Sequence, residues 1–249
     1  MRAFGLAVLG VAAYGAFLAA TLPASFAAAR LEERAGGSLE VREASGTVWQ
    51  GRAVANVATP AGPVALQRIE WRWLPARLVS ARLAFEVTAG VANAEARGEL
   101  ARGLAAWEVR EARLRGDAAA ATAILPWLAT WRPEGAIEAR AGRLRWDGDA
   151  FEGDATVEWR NAAVALSTVK PLGDYRAELH GGRPARVSVA TLSGPFQVSG
   201  QGTWSPEAGL AFAGAARGEG EQARALEPLL DLVGPRRADG SRALEWRMR

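Results

Sequence analysis

The chain has 249 residues, 49% of them hydrophobic and 23% charged, enough to bury a sizeable core and inconsistent with a disordered or collagen-like chain. One histidine and no cysteine exclude disulfide frameworks, zinc fingers, iron–sulfur sites and Cys nucleophiles. The formal charge is only +3, and Lys170 is the single lysine among 30 basic residues, so arginine supplies the rest. Those arginines alternate with acids, as in Arg110-Glu111 and Glu138-Ala139-Arg140, instead of forming the stripe that a nucleic-acid binder needs.

From Ala3 to Ala29 no residue is charged, and Phe4 to Leu22 is apolar throughout. That length matches a hydrocarbon core of roughly 30 Å at about 1.5 Å per helical residue. Pro23 falls where the helix would leave the membrane, before Arg30, Glu32, Glu33 and Arg34. The reading is a membrane anchor over residues 1–29 and an exported domain over 30–249. A cleaved signal peptide ending near Ala27-Ala28-Ala29 is the alternative, and it exports the same domain.

Beyond Gly37 the dominant signal is alternation with a period of two. Phe151, Gly153, Ala155, Val157 and Trp159 fall on one face, with Glu152, Asp154, Thr156, Glu158 and Arg160 opposite. Phe196 to Trp204 repeats the pattern, and Leu83–Val87, Tyr175–Leu179 and Leu244–Met248 do so on a smaller scale. Asp147-Gly148 predicts a type I′ hairpin, and Thr59–Pro63 and Ser205–Gly209 predict longer turns. The fold class is therefore mainly β: a strongly twisted antiparallel sheet of about a dozen strands, half-barrel or sandwich-like, with two short helices.

The helices are expected at Asp117–Trp131 and Glu221–Val233. Pro126 and Pro228 must kink them or sit in a first turn. Each is followed by an acid, a glycine and an alternating strand, which suggests an internal duplication with halves at about 37–146 and 147–249. A long sheet with so few helices must coil, pack as a sandwich, or leave an apolar groove for a partner or lipid. Ten tryptophans fit either a core or an interface.

No constellation points to catalysis. Asp147, Asp149, Glu152 and Asp154 do not follow the calcium-loop spacing and are explained by a turn and a wet strand face. His180 precedes Gly181-Gly182 at a strand end, and Gly214–Gly220 lacks the lysine of a phosphate loop. No enzyme activity, metal or cofactor is expected.

One ordered set of motifs is more specific. An apolar segment ends in Leu22-Pro23-Ala24. Gly46-Thr47-Val48-Trp49-Gln50-Gly51 follows, and then Ile69-Glu70-Trp71-Arg72-Trp73-Leu74-Pro75, with weaker similarity to the end of the chain. This set resembles the type II secretion system protein N family, itself similar to AsmA-like proteins. The resemblance implies an accessory or assembly component of the type II protein secretion apparatus, anchored in the inner membrane by a single pass. Its periplasmic β-domain would bind the secretin or inner-membrane platform components. The AsmA-like likeness implies an alternative, a module that binds or conducts lipid along an apolar sheet face. The motif residues Gly46, Thr47, Trp49, Gly51, Trp71, Trp73 and Pro75 would be architectural. If Trp49 is buried in the sheet core, its truncation should cost roughly 3–5 kcal/mol. Oligomeric state is left open.

Overall fold

A computed structural model of the chain describes residues 13–59, 62–148 and 150–248. The first half of the expected anchor, Pro60-Ala61 of one predicted turn, and Asp149 lie outside the described residues. Residues 13–20 are helical, and among the described residues no helix is long and apolar enough to cross a membrane. A second helix, α1 (Ala24–Ala35), starts directly after Pro23 and ends at Gly36 in the left-handed conformation.

Everything after α1 is built on one antiparallel sheet. Its strands are β1 (Leu39–Gly46), β2 (Gln50–Thr59), β3 (Gly62–Trp73), β4 (Leu83–Val91), β5 (Ala94–Arg102) and β6 (Trp107–Asp117). The run continues with β7 (Glu134–Trp146), β8 (Phe151–Ala163), β9 (Gly173–Gly182) and β10 (Ala185–Ser193). It ends with β11 (Phe196–Ser205), β12 (Gly209–Gly218) and β13 (Arg242–Met248). Spatial order equals chain order across all thirteen described strands, with β1 and β13 at the two edges, so the sheet is open. The mainly-β expectation and the strand count of about a dozen are borne out.

Two local expectations need correction. The Asp147-Gly148 hairpin is wider than a two-residue type I′ turn, because the strands stop at Trp146 and Phe151. The Asp147 carboxylate instead accepts the Ala150 N–H at 2.9 Å and closes a four-residue loop. The two helical stretches are also broken. The first divides into a 3-10 turn (Ala118–Ala120), a single α-turn (Ala121–Ile124) and a 3-10 segment started by Pro126 (Pro126–Thr130). In the second, only α2 (Glu227–Val233) is α-helical, with Pro228 in its first turn. Proline lacks the donor that a longer helix would need at those positions.

The core is asymmetric. Leu226, Leu229 and Leu230 pack under the last third of the sheet with Val164, Leu172, Tyr175, Phe196, Ala216 and Leu244. Burial pushes the Tyr175 phenol well above its usual range, and its O–H donates to the Phe196 carbonyl at 2.8 Å. The Pro126–Thr130 segment lies across the same face. Pro126 approaches Gly62 on β3, while the Trp127 ring lies 6.0 Å from Trp246 on β13. Strands far apart in the order therefore curl toward one segment.

Candidate functional site: an uncovered apolar face and the hairpin beside it

Cross-strand register turns the alternation into a continuous surface. Ala53, Ile69, Ala89, Ala96, Leu114 and Ala139 stand opposite one another on β2–β7. The same rung continues through Val157, Ala177, Val189, Gly200, Gly214 and Leu244 on β8–β13. Twelve strands contribute one apolar or glycine residue each and no charge. The next rung, Ala112, Ala141, Ala155, Leu179, Val187, Gly202, Phe212 and Trp246, repeats this. The glycines are required where the Phe212 ring lies flat, since a Cβ on Gly200 would sit 2.5 Å from that ring.

The two helical segments cover only part of this face. A cavity of about 400 Å³ opens between them and the sheet, lined by Trp127, Trp131, Val157, Trp159, Val198 and Leu229 among others. A second hollow of about 360 Å³ lies over β4–β8, from Val87 to Ala155. Val157 on the continuous rung is 39% exposed and Trp246 is 47% exposed, so the face is not a closed core. None of the ten tryptophans is fully buried; they are half-buried or exposed around this face and its rims.

The opposite face is a lattice of ion pairs. Glu138 lies 2.8 Å from both Arg140 and Arg115, and Glu158 is held by Arg160 at 2.6 Å and Arg176 at 2.8 Å. Glu86 is bracketed in the same way by Arg97 and Arg72. In each case the flanking guanidiniums hold the carboxyl below its ordinary range. Glu108 is the buried member, contacted by Arg110 and Arg143 at 2.7 Å and by Arg82 at 3.0 Å. Burial by itself would raise its carboxyl, but the three arginines outweigh that and lower it. His180 belongs to this face too, with Nδ1 2.8 Å from Asp154.

The motif residues gather at one corner of the sheet, against the junction between the first helix and α1. Gly46-Thr47-Val48-Trp49-Gln50-Gly51 forms the β1–β2 hairpin. Gly46 has φ +91°, and the Thr47 hydroxyl oxygen accepts the N–H groups of Trp49 and Gln50. The Trp71 indole donates to the Thr47 carbonyl at 3.2 Å, and its ring occupies the space that a Cβ on Gly51 would take. The Trp49 and Trp73 rings pack against each other, tilted by 46°, with centroids 4.7 Å apart. Trp73 Nε1 is buried without a hydrogen-bond partner among the described residues. Pro75 starts the 3-10 segment Pro75–Ser80.

This corner also holds the entering chain. The Val48 N–H donates to the Leu22 carbonyl at 2.9 Å, the Trp49 indole donates to the Ala19 carbonyl at 2.7 Å, and Pro23 bridges to Thr47. Trp49 itself is half-buried. Sequence reasoning had the motif but not its contact with residues 19–23, because nothing in a pattern of residues reports a bond across 30 positions.

No curated protein and no solved structure matches this chain. A family model described as type II secretion system (T2SS), protein N, matches residues 37–245, which span the whole sheet from β1 into β13. The chain belongs to the type II secretion system protein N family, and this makes it an accessory component of type II protein secretion.

Proposed function

We propose that this protein serves the secretion apparatus from the inner membrane. The apolar segment 4–22 is the single-pass tether, the sheet stands on the periplasmic side, and the uncovered apolar face receives another component of the machine. The family match carries the secretion role. The reading of the face rests on twelve strands that present an unbroken apolar rung with only two short segments over it. The motif hairpin acts as a clamp that fixes the end of the tether to the sheet. Deleting the gene should reduce both secretion of folded exoproteins and recovery of the assembled apparatus. Unchanged secretion and assembly would overturn the proposal.

A second reading is favoured by one observation: the lining of the 400 Å³ cavity is almost wholly apolar, as a lipid chain requires. Co-purified phospholipid, identified by mass spectrometry and displaced by a bulky substitution at Val198, would support it. The two halves of the sheet, 37–146 and 147–249, are also read as products of a duplication. In support, each places a proline-started segment on the apolar face shortly before its last strand.

A further inference from the structure

Because neighbouring strands are antiparallel, the loops fall on two rims. One rim carries the β1–β2 hairpin that grips residues 19–23, together with the loops before β4, β6, β8, β10 and β12 and the end of β13. Its composition is unusual for a water-facing edge. The last rung on the apolar face places Trp107 opposite Trp146, and Trp204 opposite Leu210. The three tryptophans are 44%, 45% and 37% exposed. Beyond them, two loop tips hold Val79 and Leu104 almost fully in the open, at 94% and 96%. At the other rim the exposed leucines are only partly so: Leu166 at 45%, Leu192 at 47% and Leu232 at 60%.

We infer that this tryptophan rim lies on the bilayer surface, with Val79 and Leu104 entering the acyl boundary and the indoles at headgroup depth. Three observations point to lipid and away from a protein partner. The rim is continuous with the point where the apolar N-terminal segment joins the sheet, so a tether through residues 4–22 brings it to the membrane. Indoles with an apolar body and a polar edge are the side chains that settle at this depth. The charge also complements anionic headgroups. Arg82, Arg110 and Arg143 share the single carboxylate of Glu108, and the Arg102 guanidinium lies 5.1 Å over the Trp107 ring. Of the two acids in the 147–150 loop, Asp147 accepts the Ala150 N–H and lies 3.7 Å from Arg183, and Asp149 lies outside the described residues. In this posture the apolar face opens at its membrane end.

The inference rests on the tether proposed above, and one experiment separates the two. The chain has no cysteine, so Val79→Cys, Leu104→Cys and Asn93→Cys each give a single labelling site on an exposed tip, Asn93 being on the far rim. Each full-length variant carries an environment-sensitive fluorophore in vesicles of phosphatidylethanolamine and phosphatidylglycerol. The expected result is severalfold stronger quenching by doxyl-labelled lipid at 79 and 104 than at 93, with the reverse order for aqueous iodide. Retention on carbonate-washed vesicles with all three sites equally open to iodide would overturn the rim placement and leave the tether standing. Loss of the chain from washed vesicles would overturn the tether and the rim placement together.

Discussion

The Trp49 indole N–H donates to the Ala19 carbonyl at 2.7 Å, a bond across 30 residues that ties the apolar N-terminal segment to the first hairpin of the sheet. The backbone reinforces it, since the adjacent Val48 N–H takes the Leu22 carbonyl. Trp49→Phe should cost about 1 kcal/mol through the lost hydrogen bond. Trp49→Ala should cost about 1–3 kcal/mol, below the value for a fully buried ring, because the side chain is only half-buried. Urea denaturation in detergent measures both. Faster hydrogen exchange at the Val48 amide distinguishes a loosened junction from a general loss of stability.

Gly51→Ala should be worse than its one added methyl suggests. Its Cβ would lie 2.5 Å from both the Ser45 carbonyl oxygen and Trp71 Cζ2, so the Trp71 ring and its bond to Thr47 must move. A loss of about 2 kcal/mol or more is expected from overpacking. Denaturation midpoints of Gly51→Ala and of Gly142→Ala, where nothing lies within 4 Å, provide the comparison.

Glu108→Gln removes the only carboxylate shared by Arg82, Arg110 and Arg143. Breaking a buried pair costs about 3–5 kcal/mol when the remaining charge is fully desolvated. These guanidiniums are 29–53% exposed, so about 1–3 kcal/mol is expected. Thermal unfolding reads it, and added salt should narrow the gap between the variant and the parent.

Acid should destabilise the sheet through its outer face. Arg97 and Arg72 lower Glu86, Arg140 and Arg115 lower Glu138, and Arg160 and Arg176 lower Glu158. A carboxyl lowered in the folded state contributes stability that is present above its unfolded value of 4.5 and is lost as pH falls through the folded value. Urea midpoints should therefore hold level from neutrality to about pH 5 and fall below it. A midpoint that rises on acidification would contradict the sign.

Leu226→Ala tests the helical cover. Leu226 is fully buried where α2 meets the sheet, and its truncation should cost about 2–5 kcal/mol. Protease cutting after residue 219 should rise with it, because Leu226 shares with Leu229 and Leu230 the core that holds this segment against the sheet.

Strand content was legible because a half-wet antiparallel sheet writes its faces into alternate residues, as at Phe151–Trp159 and Phe196–Trp204. Register was not, since β-bulges such as the one between Ala141 and Leu144 shift the phase without a local signature. The helical stretches misled by length: Leu226, Leu229, Leu230 and Val233 do form a stripe, but Pro126 and Pro228 allow only short segments. The motif glycines and tryptophans were visible as a set, while their grip on Ala19 and Leu22 and the tryptophan rim required the fold, because both are assembled from residues distant in sequence.

The most direct measurement is photo-crosslinking in secreting cells from a probe at Val157, which lies on the continuous apolar rung and is partly exposed. If the face receives another component of the secretion apparatus, the adduct is one of its proteins, identified by mass spectrometry. A probe at Val157 that yields no adduct, while one on the arginine-rich face at Thr156 does, would contradict the central claim.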